Sequence, residues 1–488
     1  MKRQRTIYFN DARHYYLFVF EPPMALEDAW APIDECAGTA VDTFIYGVAR
    51  ADGLFYPSKV GLRFRDDTRK FESAPYYRVW NNMQSLMDRG LDPLTVLIDR
   101  AHEKNMDFFA SLRIGPQGST DPKLDSRDGG PGFLDEDLRE HNFLLLQELA
   151  VDYPSDGIEL DLAAPPAGSS PLFRPEDAAG AMPMMTDWVR RVSDMTRNRP
   201  GTPGQVGARV YPTEEANTMM GFDVRTWISE GLVDYVTPMV YSHNVVDSNM
   251  PIEWLVEATE GTGTSVYPMI GPYSDRESRQ YHTREWATPE MMRAAVANYW
   301  DMGVDGMYTY FLKWPINDTG RKILTELGDV DQVKGKSKHY IANQKTDVTE
   351  QIGYSLPLPI KIEPTDTGTS HDIQINVSDD FEGSVDRIRE VRLKMLIVDL
   401  LADDRLTIRL NGESLENETC HRDFGSFINA YWGQWLEFTL QGVRPRKGQN
   451  TVSITLDGRA EGAVGTLVVE DVELTVKYHP FPSRLNRR

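Results

Sequence analysis

Cysteine is nearly absent: 488 residues hold two, Cys36 and Cys420, far apart in the chain. A disulfide framework is thereby excluded, and no C-x-x-C or Cys/His spacing of a zinc site occurs. No run of about 18 apolar residues exists, so no membrane span is expected. Positive charge is in deficit, with 52 Lys and Arg against 74 Asp and Glu, a net charge of −22. That balance argues against nucleic-acid binding and against adsorption to anionic membranes, while leaving room for a local basic pocket. The start, MKRQRTIYFNDARHYY, carries basic residues but no apolar stretch of signal-peptide length. The chain reads as soluble and cytoplasmic; a signal peptide already removed would leave the same start.

What is present is an ordinary globular composition, 40% hydrophobic and 26% charged, which excludes wholesale disorder. The length suits a large core plus an accessory module. Strand-like runs rich in β-branched and aromatic residues fall at 15–20 (YYLFVF), 41–49, 106–114, 157–163 (GIELDLA), 205–211, 233–241, 265–271 and 305–312. Helical periodicity fills the intervals, as in 289-PEMMRAAVANYWDMG-303, where Pro opens and Gly closes the segment. Eight β-then-α units predict a (β/α)8 TIM barrel over 1–330. A doubly wound sheet is the competitor, but FVFEPPMALED lacks the Gly-rich phosphate turn such sheets carry after the first strand. Beyond 330 the pattern changes. Residues 331–356 are polar and read as a linker. Residues 357–480 alternate with turn signals such as 411-NGE-413 and predict an antiparallel, jelly-roll-like β-sandwich, followed by a polar tail at 481–488.

Within GIELDLA, alternation puts Ile158, Leu160 and Leu162 on one face and Glu159 and Asp161 on the other. The apolar face should meet the helices, so the acids should point into the barrel, with Asp161 nearer the carboxyl end where barrel enzymes place their chemistry. Buried carboxylates need cationic partners. Arg113, Arg209 and Arg50 stand at the ends of three neighbouring predicted strands. They either balance the acids or bind an anionic substrate. Glu159 is expected to be paired structurally, and Asp161 to be catalytic; a purely structural ion pair is the alternative for each.

Other strand ends add Tyr211, Tyr241 with His243, Tyr273 followed by Asp275 and Glu277, and Trp314. Glu214 and Glu215 follow the fifth strand, where complementing a helix dipole would also explain them. The run around Asp275 and Glu277 could be no more than a solvated loop. Aromatic rings at a barrel mouth suit the C–H faces of sugars, while Asp, Arg and His address the hydroxyls.

The segment 15–330 resembles glycoside-hydrolase-type barrels, most nearly the glycosyl-hydrolase-like family 10 group. The likeness is carried by DGIELD (156–161) and by RGLDPLTVLIDRAHEKNMDFFASLRI (89–114). A weaker similarity is to chitinase-type barrels, through Met239-Val240-Tyr241 and Trp314, but the position of that motif's general-acid Glu holds Ala163. The resemblance implies a glycosidase and does not identify the sugar. With the strand-end arginines, the expectation is an oligo- or polysaccharide substrate, neutral or anionic, with no cofactor and no metal. The C-terminal region resembles sandwiches appended to such barrels. Glycoside hydrolysis generally needs two carboxyl groups. Asp161 is the expected nucleophile or base, with Asp275, Glu277, Glu214 or Glu215 as the acid. Tyr241, His243 and the arginines would orient the sugar, and Trp314 would floor its subsite. Two other classes stay open: a non-catalytic carbohydrate-binding barrel, and a metal-dependent hydrolase, for which the first strand end offers only Glu21.

Overall fold

The computed structural model describes residues 2–11, 16–50, 53–116, 130–166, 169–241, 245–278, 283–423 and 433–480. Its first sheet contains parallel strands β1 (Arg5–Asp11), β2 (Thr43–Gly47), β3 (Asp107–Arg113), β4 (Gly157–Asp161), β5 (Gln205–Val210), β6 (Tyr235–Pro238), β7 (Ser265–Val266 and Met269–Ile270) and β8 (Gly306–Thr309). Each strand pairs with its successor, and β8 pairs with β1. The two halves of β7 close the cylinder: the first pairs with β6 and the second with β8. Pro268 separates the halves and has no N–H to give to the ladder. The result is the expected (β/α)8 barrel.

The first strand is not where the apolar run at 15–20 suggests. β1 is the earlier RTIYFND, and Tyr16–Val19 forms a helical turn. A four-residue apolar run does not distinguish strand from buried helix. Here Asn82, on the helix Ala74–Met87, donates its side-chain amide to the carbonyls of Leu17 (3.3 Å) and Phe20 (2.7 Å), fixing the turn outside the sheet. In β1, Arg5 and Phe9 face the barrel interior. Arg5 seals the amino end through Thr43 (2.5 Å), Asp107 (2.7 Å) and Gln205 (2.8 Å).

The helix Pro289–Met302 has the boundaries its sequence predicts. Thr288 caps it, Pro289 occupies the first turn, and Gly303 ends it at φ 90°, a left-handed conformation that costs glycine little. Among the described residues no helix is long and apolar enough to cross a membrane.

The C-terminal region forms two antiparallel sheets around a second apolar core. One holds Ile388–Val398 between Leu467–Tyr478 and Gln434–Thr439, and the other holds Gly448–Gly458 between Ser370–Val377 and Arg405–Leu410. Alternation is clean: Val391, Leu393, Met395 and Ile397 are buried, and the residues between them are not. The segment expected as a linker contributes to this unit. Lys338–Ile341 pairs with Glu473–Val476, because Tyr340 and Ile341 bury against the sandwich and barrel cores respectively. The helix Pro289–Met302 joins the two cores, with Ala294 in the second and its neighbours in the first.

Candidate active site

On adjacent parallel strands, residues in register project to the same side of the sheet. Two such rows cross the barrel interior from β3 to β6. The lower row is Ser111, Glu159, Gly207 and Tyr235; the upper, nearer the carboxyl end, is Arg113, Asp161, Arg209 and Thr237. TIM-barrel interiors are usually filled by branched apolar residues. These polar rows therefore need a specific explanation.

The lower row closes on itself. Glu159 is fully enclosed. Its Oε1 accepts from Ser111 Oγ (2.7 Å), Arg209 Nε (2.8 Å) and the Tyr308 hydroxyl (3.1 Å), and its Oε2 from the Tyr235 hydroxyl (3.1 Å). Burial pushes the carboxyl above its usual range, against the opposing pull of Arg209 and Ser111. Tyr235 reaches Glu159 by crossing Gly207, where an added Cβ would stand 1.9 Å from the Tyr235 Cζ. A glycine inside a strand here marks a ring passing over the backbone.

The upper row is equally buried, but its hydrogen bonding is incomplete. Asp161 Oδ2 meets Arg113 Nε at 3.1 Å and Arg209 Nη1 at 3.3 Å. Asp161 Oδ1 is buried with no hydrogen-bond partner among the described residues, and the same holds for Thr237 Oγ1 and the Tyr310 hydroxyl. Leaving such a group unpaired costs about 1–3 kcal/mol. These three, on Asp161, Thr237 and Tyr310, amount to hydrogen-bonding capacity suited to a polar ligand. Arg209 is itself fully buried, gives Nη2 to Tyr308 (2.6 Å), and stacks its guanidinium 3.9 Å from the centre of the Phe9 ring. Burial opposes the charge on Arg113 and Arg209, but the surrounding carboxylates and phenols outweigh it, and both pKa values lie above the ordinary guanidinium range.

The position of β1 brings in an acid that the sequence did not point to. Asp11 ends β1 in register with Gly47 and is 4% exposed. It acts on the Arg113 charge together with Asp161, Tyr241 and Tyr310. The alternation of RTIYFND, ending in Asp, was the available signal; the more apolar run beside it hid it.

Rings surround these groups. Tyr310 packs on Phe9 (4.7 Å between centroids), Phe311 (4.9 Å) and Tyr241 (6.4 Å). Tyr273 lies 6.5 Å from Phe311 and 4.8 Å from Trp286. The Arg113 guanidinium sits 5.0 Å from the centre of the Tyr241 ring. Tyr241 and Tyr273 are half-buried, as is Trp314, whose edge meets Phe20 at 5.7 Å.

No family profile and no curated protein matches the chain. Solved structures align with it at low identity and low TM-score. A cycloisomaltooligosaccharide glucanotransferase from Paenibacillus sp. aligns over 96% of this chain at 10% identity and a TM-score of 0.36, and the chain spans 57% of that protein's length. An endo-β-1,4-mannanase from Thermotoga petrophila aligns over 97% of this chain and 98% of its own, at 13% identity and a TM-score of 0.43. An endo-1,4-β-mannanase from Rhizomucor miehei aligns over 64% and 89%, at 9% identity and a TM-score of 0.42.

The remaining residues singled out in the sequence lie elsewhere. Tyr211 is sealed: its hydroxyl donates to the Pro165 carbonyl (2.9 Å) and its ring stacks on Phe222, so it fastens the loop after β4. Glu214 opens the short helix Glu214–Met219 and is held by Arg225 (2.8 Å through Nη2), not by the arginines that hold Asp161; Glu215 beside it is exposed. Arg50 pairs through its backbone with Gly53 in a small hairpin, and Arg113 and Arg209, not Arg50, carry the ion pairs to Asp161. His243 and the side chains of Asp275 and Glu277 lie outside the described residues; the backbone of the latter two belongs to the strand Tyr273–Ser278.

Proposed function

We propose that the barrel hydrolyses glycosidic bonds of an uncharged oligo- or polysaccharide. The observation that carries this is Asp161: a carboxylate at the carboxyl end of β4 with one oxygen fixed by two guanidinium groups and the other unpartnered. Fixing one oxygen aims the other, which is the requirement for a nucleophile or for a base acting on water. Asp11, at the carboxyl end of β1, is the proton donor, with Asp275 and Glu277 on the strand after β7 as alternative donors. Tyr241, Tyr273 and Trp314 stack on the sugar faces. Arg113 and Arg209 are engaged with Asp161, and Arg209 with Glu159 as well, which leaves them unsuited to hold a substrate carboxylate or sulfate.

Asp161→Asn, Asp11→Asn, Asp275→Asn and Glu277→Gln should be assayed on neutral polysaccharides and on aryl glycosides with graded leaving groups. Asp161→Asn should lose about 10³-fold or more in kcat on every substrate, by analogy with other removed active-site groups. Asp11→Asn should lose about 10²–10⁴-fold where the leaving group is poor and far less where it is activated, the mark of a general acid. Unchanged turnover in Asp161→Asn removes that residue from the mechanism.

A second reading is a carbohydrate-binding barrel without turnover. It is favoured by the 3% exposure of Asp161 and its double arginine pairing. Saturable binding of a polysaccharide that the wild-type protein never cleaves would establish it.

A further inference from the structure

After β6 the chain passes Tyr241 and then runs from Val245 to Met250 beside the C-terminal sandwich. Loops usually satisfy their backbone with water or with their own turns. This one does not. Three successive carbonyls accept from side chains of other elements: Val246 from Asn343 Nδ2 (3.0 Å), Asp247 from the Tyr299 hydroxyl, and Ser248 from Asn298 Nδ2 (2.8 Å). The loop's own side chains reach back. Asn249 donates to the Ile341 carbonyl (3.0 Å) and accepts from the Asn376 amide (2.9 Å), and Asp247 accepts from the Tyr354 hydroxyl (2.6 Å). Ile341 and Asn376 lie in sandwich strands.

The held segment touches the mouth directly. The Val246 amide donates to the Tyr273 carbonyl at 2.7 Å. Tyr273 meets Phe311, Phe311 meets Tyr310, and Tyr310 meets Tyr241, on which Arg113 stacks while bonding Asp161. The contacts are continuous from the sandwich to the carboxylate.

We infer that the sandwich and the segment joining it to the barrel position the barrel mouth: the strands at Ile341 and Asn376 hold Asn249, and Asn343 and Tyr354 of the joining segment hold Val246 and Asp247, which fixes the loop after β6 and with it Tyr273 and Tyr241. These are positioning residues, since none of them touches Asp161. The kinetic part of the inference rests on the glycosidase proposal; the structural part does not.

The test uses the full chain with Asn343→Leu combined with Tyr354→Phe. Ile454→Val, buried in the sandwich core on the central strand Gly448–Gly458, is the control for general loosening of that unit. Hydrogen exchange should accelerate at least tenfold at the Val246 amide in the double variant and stay unchanged there in the control. On a glycoside the wild type cleaves, the double variant should raise KM at least fivefold with kcat within twofold, because stacking surfaces move while the carboxylates stay. Restoring either side chain alone should recover part of both effects. Unchanged exchange at Val246, acceleration spread evenly over the whole chain, or an unchanged KM alongside faster exchange would each overturn the inference. Should the wild type cleave no glycoside, the exchange measurement alone decides the positioning role, and only the glycosidase proposal fails.

Discussion

A buried guanidinium shared between two carboxylates makes its own removal far costlier than its presence is worth. Arg209 lies between Glu159 and Asp161 with no exposed surface. Arg209→Met should destabilise the protein by about 3–5 kcal/mol, because two acids are left without a cation in low dielectric. Adding Glu159→Gln should recover part of that loss, a non-additivity that a thermal-melt double-mutant cycle would read. Strictly additive losses would show that the two residues are not coupled. A different carboxyl should set the pH response of stability. Glu35 is raised from 4.5 to about 8, chiefly by burial, with the Ile316 amide and Arg321 opposing. The folded state then binds a proton that the unfolded state has lost between those values, so stability falls as pH rises from about 4.5 to 8 and levels off above. Glu35→Gln should flatten that slope and raise the melting temperature at pH 9 relative to wild type. An identical pH profile in the variant would contradict the burial of that carboxyl.

At the scale of the element, the strands set the site through register, and register depends on small residues at the crossings. The Tyr235 ring occupies the space over Gly207 on its way to Glu159. Gly207→Ala should therefore cost about 3 kcal/mol, the upper range for overpacking, since backbone and a buried ring must both yield. Gly207→Ala with Tyr235→Leu should melt higher than Gly207→Ala alone; a lower melting point would mean the ring is not the obstacle. Seven of the eight barrel strands were legible in the sequence, because apolar and β-branched residues fill them and turn residues bound them. The first was not, since Tyr16–Val19 is more apolar than RTIYFND, and only tertiary contacts such as Asn82 with Leu17 show that it is helical. That error concealed Asp11. Alternation in GIELD correctly faced Glu159 and Asp161 inward, and the arginine partners of both were readable from in-phase positions on the flanking strands. The phenols of Tyr235 and Tyr308 were not readable, because a ring that reaches across a barrel leaves no local mark in its own strand.

For the molecule as a whole, charge decides between substrate classes. The chain carries −22. Among the described residues at the carboxyl end of the barrel, three carboxyl groups, Asp11, Glu159 and Asp161, surround two guanidinium groups, Arg113 and Arg209, and this cluster does not reverse the sign of its surroundings. A polyanionic glycan approaching such a surface is repelled over a Debye length, about 30 Å at 0.01 M salt and 8 Å at 0.15 M. Encounter with an uncharged glycan carries no such term. Under the glycosidase proposal, raising salt from about 10 to 150 mM should leave kcat/KM on a neutral polysaccharide within twofold, and raise severalfold any residual activity on a carboxylated one. The same difference should appear in association rates measured with Asp161→Asn, the variant in which the proposed mechanism abolishes cleavage. Faster turnover of a polyanion at low salt than at high salt would mean that a basic surface steers substrate in, and the assignment of Arg113 and Arg209 to the acids beside them, not to substrate, would be wrong.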